Sequence, residues 1–421
     1  MKTSVLTTLA LLFATTTMAA LPAAAQDLER GETVLTRPRP EVEALGVRAG
    51  SFLILPLLEA GITYDSNVFA TKDNKEDDFL WVISPELRVR SDFSRHALNF
   101  TARGTLGRYK EFKSENYSDY LVQLDGRVDV LRDINVDARF FHAQEHEGRG
   151  DPDTEAGLAE PQIYTRSGGV LGYNHTFNRI RTRLSAGAEY FAYDSVRRLD
   201  GSTSRQNDRD RWEMTTGLRV GYEVMPGYEG FIQGNLSRIV YQVSPNYAGI
   251  NRDSNGYELV GGLATDLTGV LSGEIFAGYL TRSYEDSRLK DFGGLGFGGR
   301  LNWAVTQLTT VTGQLRREIR ETTTASAGGV ASSYARSLFA VGVDHELLRT
   351  LLLNGRAQYY QDAYEGIDRT DEVYTVGIGA TYLINRNVYL TGGYTYENRQ
   401  SDSNAQEYDS NLIFLRLGLQ L

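Results

Sequence analysis

Leu121-Val122-Gln123-Leu124-Asp125-Gly126-Arg127-Val128-Asp129-Val130 alternates strictly: Val122, Leu124, Val128 and Val130 fall between Gln123, Asp125, Arg127 and Asp129. A helix would scatter these side chains around its axis. An extended strand sends successive side chains to opposite faces, so the stretch has one apolar face and one charged face. The segment before it repeats the pattern, with Leu98, Phe100, Ala102 and Leu106 set against Asn99, Thr101, Arg103 and Thr105. Leu184, Ala186, Ala188 and Tyr190 oppose Arg183, Ser185 and Glu189 further on, and Leu351, Leu353 and Ala357 oppose Asn354, Arg356 and Gln358.

The connections between these strands alternate in length. Short turns are expected near Asp92–Arg95, Arg132–Ile134, Phe177–Arg179, Met225–Gly227, Asp266–Gly269, Ala304–Thr306, Glu346–Leu348 and Asn385–Asn387. Between them lie longer polar stretches, including Thr71–Asp78, Glu147–Pro161, Ser195–Arg211, Ser244–Asn255, Thr322–Ser333 and Ser401–Asp409. Tight turns at one end and long loops at the other describe a barrel in a bacterial outer membrane, with turns in the periplasm and loops outside. The hairpin unit of about 40 residues predicts about 18 strands, an even number as such barrels require. The fold class is therefore all-β: a transmembrane antiparallel up-and-down barrel over residues 51–421.

Composition agrees. The 421 residues include 43 glycines, 25 tyrosines and 17 phenylalanines but only 9 prolines, a profile of strands and tight turns. There is no cysteine, so an exported chain must hold together by backbone pairing rather than disulfides. After the N-terminus no apolar run reaches the length a membrane helix needs; Phe52–Leu58 comes nearest and Glu59 ends it. A net charge of −10 without a basic cluster argues against nucleic acid as a partner.

Met1-Lys2-Thr3, the apolar run Val5–Met18 and the small residues Ala23 and Ala25 read as a signal peptide over 1–25. Residues 26–50, with Arg30, Arg37, Pro38, Arg39, Pro40 and Arg48, are polar and extended, and are expected to form a periplasmic tether or a plug. At the other end Ile413, Leu415, Leu417, Leu419 and Leu421 alternate with Phe414, Arg416, Gly418 and Gln420. That strand must pair with the first, because an open edge in lipid leaves backbone groups unsatisfied. Its apolar last residue resembles the signal read by the barrel-assembly machinery.

Catalytic and metal motifs fail their context. His142-Ala143-Gln144-Glu145-His146 matches H-x-x-E-H, but that chemistry needs a helix. On a strand, residues four apart stand about 13 Å from each other, too far for one zinc ion. Gly294-Leu295-Gly296-Phe297-Gly298-Gly299 matches G-x-G-x-x-G without a following helix. The acidic stretch Thr71–Asp78 lacks the glycine and terminal glutamate of a calcium loop. No cofactor, metal or enzymatic activity is expected. A rim hydrolase built on His142 or His146 with Asp151 or Asp153 is the weakest alternative.

Over residues 60–160 the chain resembles the β-barrel porin 2 family of proteobacterial outer membranes. Ala60–Phe69, Ser91–Leu98 and Ser114–Tyr120 carry the resemblance, and Leu415–Leu421 also fits. The resemblance implies a location in the outer membrane, among its lipid and lipopolysaccharide, and a frequent association with exopolysaccharide genes. The charged faces of the strands supply candidate lumen-lining residues: Arg88, Arg90, Arg103, Asp125, Arg127, Asp129, Asp137, Arg183, Glu189, Arg219, Arg316, Glu318 and Arg356. The expected function is a hydrated path for a polar solute or polysaccharide. The alternative is a closed or plugged accessory barrel that anchors an export complex.

Overall fold

The computed structural model describes residues 33–421, apart from 36, 38, 268, 269, 327 and 328. The expected signal peptide and the first part of the 26–50 segment lie outside the described residues.

Eighteen antiparallel strands form one closed sheet. They are β1 (Phe52–Asp65), β2 (Asp78–Ser91), β3 (Ala97–Tyr109), β4 (Tyr117–Asp129), β5 (Ile134–Glu147) and β6 (Gln162–Phe177). Then come β7 (Ile180–Tyr193), β8 (Arg211–Met225), β9 (Tyr228–Tyr241), β10 (Ser254–Leu267), β11 (Leu271–Tyr284) and β12 (Phe292–Thr306). The last are β13 (Thr309–Glu321), β14 (Ser333–Leu348), β15 (Leu351–Glu365), β16 (Thr370–Leu383), β17 (Val388–Ser401) and β18 (Tyr408–Gln420). Each strand pairs with its neighbours in sequence, and the ring closes where β1 meets β18, from Leu57↔Gln420 to Asp65↔Leu412. Closure satisfies the backbone wherever a strand is paired on both sides, which is what allows a sheet to sit in hydrocarbon.

The alternation read from the sequence becomes an inside and an outside. Leu98, Val122 and Leu124 are exposed on the outer surface, whereas Asn99, Gln123 and Asp125 stand on the other face of the same strands. Apolar outward residues continue round the ring, through Leu171, Leu218, Leu259, Val341, Ile378 and Leu415.

Two of the expected turns lie later than the sequence indicates. Ala304–Thr306 and Glu346–Leu348 belong to strands, and the turns follow at 307–308 and 349–350. The register shifts at both places, between Ala304 and Thr306 and between Glu346 and Leu348. An extra residue in one strand breaks the apolar rhythm before the strand itself ends, so the pattern alone places the turn too early. The sequence places Tyr109, Tyr120, Tyr190, Tyr193, Tyr279, Tyr359, Tyr364, Tyr394 and Tyr396 near the loop ends of strands, where an interfacial girdle is expected, and the structure divides them. Tyr120 and Tyr279 are exposed on the outer surface, as an interfacial girdle requires, but Tyr364 is buried and Tyr193 lies beneath the Arg209 guanidinium, inside the wall.

Candidate functional site

The inward face is a lattice of ion pairs, and all the candidate lumen-lining residues stand on that face. Three pairs form among the candidates themselves: Arg127–Asp129 at 2.8 Å, Asp137–Arg183 at 2.8 Å and Arg316–Glu318 at 2.8 Å. Others pair with residues that were not singled out. Asp125 takes Arg139 at 2.6 Å, Glu189 takes Arg166 at 2.7 Å, Arg219 takes Glu274 at 2.7 Å, Arg356 takes Asp344 at 2.5 Å, and Arg88 takes Glu86. Arg90 and Arg103 stand on the same face of β2 and β3. The missed partners were legible in principle: Arg139 is in phase with Asp137, and Glu274 is in phase with Arg282. What the sequence lacks is the register that puts opposite charges side by side.

Both mouths are narrowed by chain that folds inward. At the turn end, Val34 and Leu35 are buried against Leu57, Leu352, Leu383 and Tyr389, which project inward from β1, β15, β16 and β17. The Val34 amide donates to Thr310 Oγ1 at 3.0 Å. Arg39 is buried, donates to the Val34 carbonyl at 2.6 Å and pairs with Glu346 at 2.8 Å. Glu41 pairs with Arg349 at 3.1 Å, and its carbonyl accepts from Arg386 at 3.2 Å. Gly46 then donates to the Leu421 carbonyl at 2.9 Å, and Val47–Ala49 pair with Phe52–Ile54, along the part of β1 that β18 does not reach. Arg48 donates to Asp92 at 2.6 Å, which holds that carboxyl below the usual carboxylate range.

At the loop end, the connection from Glu147 to Gln162 crosses the opening. Arg149 grips Glu115 through two hydrogen bonds of 2.6 and 2.7 Å. The Gly150 carbonyl accepts from Arg399 of β17, and Asp153 accepts from Thr322 and, at 3.1 Å, from Thr324 beyond β13. One loop thus touches walls on opposite sides of the ring. Beside it, Arg369 and Arg399 converge on Asp371, and Arg336 holds Asp362 with two bonds of 2.6 Å.

The rim histidines go elsewhere. His142 is hydrogen-bonded to Ser167 Oγ at 2.7 Å and to the Tyr120 hydroxyl at 3.1 Å, while His146 bonds Asp119 at 2.9 Å. Glu145 accepts from Tyr164 at 2.8 Å and pairs with Arg166. The three groups of the H-x-x-E-H match thus face three separate partners. The envisaged pairing with Asp151 or Asp153 is not made, because Asp151 accepts from the Gly148 amide at 2.7 Å and Asp153 is engaged by the threonines. The acidic loop before β2 is likewise occupied: Asp78 accepts from the Phe79, Glu111 and Phe112 amides, and Lys75 pairs with Asp409.

A closed ring of strands with an apolar outer surface and a charged interior defines an outer-membrane β-barrel of the porin type. The chain belongs to the family described as Putative beta-barrel porin 2, whose sequence profile matches residues 39–421. Among curated protein sequences, none matches the chain. Solved structures with a similar trace are outer-membrane proteins. OpdL of Pseudomonas aeruginosa shares 12% identity, with 89% of this chain and 100% of that chain covered and a TM-score of 0.44. A BenF-like porin from Pseudomonas fluorescens Pf-5 shares 13% identity, with 88% and 99% covered and a TM-score of 0.46.

Proposed function

We propose that the barrel conducts small polar solutes through its lumen and favours anions. The observation that carries this reading is a pair of inward guanidiniums that no carboxylate grips. Arg300 on β12 and Arg416 on β18 face inward and form no ion pair among the described residues, whereas most inward carboxylates already hold an arginine. An uncompensated guanidinium in a hydrated passage attracts anions and repels cations. A saccharide path is the finer reading. It is supported by tyrosines set between arginines near the outer mouth, where Tyr334 and Tyr360 flank Arg336 and Tyr364 lies against Arg369. Such rings offer an apolar face and a polar tip to a sugar.

The test is planar-bilayer recording of refolded, detergent-pure protein in a salt gradient. The wild type should conduct with an anion-selective reversal potential, and Arg300→Glu with Arg416→Glu should move that potential toward cations. Deleting residues 26–46 should raise conductance severalfold. Silence both with and without that segment would overturn the reading. It would favour a plugged barrel that anchors an export complex, a second reading supported by the close packing of Val34, Leu35 and Arg39 at the turn-end mouth.

A further inference from the structure

The wall is not closed everywhere. Pairing between β12 and β13 runs from Thr306↔Thr309 to Gly298↔Arg316 and goes no further. On its other side β12 stays paired with β11 as far as Phe292, and β13 stays paired with β14 as far as Glu321↔Ser333. Phe292–Phe297 and Arg317–Glu321 therefore each present an edge to the other without strand pairing. In hydrocarbon such an edge is costly, so closed barrels avoid it.

The cause is a bend. The upper end of β13 is drawn behind β11 and β12 by Glu321, which accepts from the Tyr241 and Tyr284 hydroxyls at 3.1 Å each and pairs with Arg282 at 3.3 Å. Arg317, on the bent segment, reaches the inner side of β12 beside the cleft this leaves. Its guanidinium carbon stands 5.8 Å from the Phe292 ring centroid, and its Nε is buried with no hydrogen-bond partner among the described residues. Leu295 is exposed on the outer lip, and at the foot of the cleft the exposed Phe339 packs against Phe297, with ring centroids 6.0 Å apart. Gly294 adds no side chain to this edge, and a Cβ there would meet only the Phe292 ring, at 3.3 Å.

We propose that the cleft between β12 and β13 is a lateral portal that binds the anionic head group of an amphiphile whose acyl chain stays in the outer leaflet. The two halves of the site require the two halves of the ligand. A neutral head would leave the Arg317 charge uncompensated, and a free anion would make no use of the apolar lips. This use of the wall is separate from solute passage along the lumen and stands without it.

The test is photo-crosslinking of the full refolded chain in detergent with dodecyl phosphate carrying a diazirine in its chain, with adducts mapped by mass spectrometry. Adducts should concentrate on Phe292–Phe297 and Arg317–Glu321, fall about tenfold in Arg317→Gln and return in Arg317→Lys, as a charge-assisted hydrogen bond requires. Inorganic phosphate at the same concentration should not displace the probe. A neutral dodecyl maltoside probe should label the cleft no more than the rest of the apolar belt, a comparison that needs no variant to fold. Labelling spread evenly round the belt, equal cleft labelling by the neutral probe, indifference to Arg317→Gln in folded protein, or displacement by inorganic phosphate would each overturn the proposal.

Discussion

Strand pairing falls short at several places round the barrel, and two of them are handled in opposite ways. At the β1–β18 junction, β18 reaches only to Leu57, yet Val47–Ala49 take over along Phe52–Ile54 and Gly46 bonds the Leu421 carbonyl. At the β12–β13 junction, pairing stops at Gly298 and, among the described residues, no other segment takes its place on β12. The first gap is at the turn end and is filled by the chain's own N-terminal segment. The second is at the loop end and faces an apolar surface. A barrel can thus tolerate a short ladder either by borrowing a strand or by bending one edge inward, and only the second course leaves a way through the wall.

Substitutions can separate the two junctions. The largest effect is expected from Leu415→Arg, on the outward face of β18 where that strand pairs with β1. If the site lies near the bilayer midplane, a guanidinium there should cost about 2–4 kcal/mol, read from denaturant titration of the protein folded into lipid vesicles. A smaller difference is expected from two glycines. A Cβ on Gly61 would come within 2.2 Å of the Leu415 carbonyl oxygen across the β1–β18 junction. Gly61→Ala should therefore destabilise by about 1–3 kcal/mol, whereas Gly294→Ala beside the other junction should change stability little. Equal losses would mean that the two junctions are packed alike.

The finest test is geometric and uses the cysteine-free background. Leu301→Cys with Gly313→Cys places thiols on directly paired residues, and this pair should crosslink on mild oxidation. Gly296→Cys with Glu318→Cys continues the same register above Gly298 and should not. Efficient crosslinking of the upper pair would show that the ladder closes in solution.

Much of this architecture was legible in the chain. Period two named the faces, and the alternation of turn and loop gave the strand number, because both depend on neighbours within a hairpin. The lumen candidates followed from the same parity. What was not legible depends on distant partners. Nothing about Val34 or Leu35 announces that inward-facing Leu57, Leu352 and Leu383 will cover them, although leucines on the charged face of three strands were a signal. Tyr193 and Tyr364 look like girdle tyrosines until the strand parity at the rim is known. The bend of β13 rests on Glu321 meeting Tyr241 from four strands away, and no local pattern encodes that meeting.

The docking of Val34 and Leu35 has a mechanical side. Their partners stand on both flanks of the closing junction, Leu57 on β1 and Leu352, Leu383 and Tyr389 on β15 to β17. The segment therefore works as a clasp, fastened from within across the place where the ring meets itself. Removing it would clear the turn-end mouth and leave the junction to the backbone pairs from Leu57↔Gln420 to Asp65↔Leu412 alone, so the ease of opening is set against the strength of the hoop.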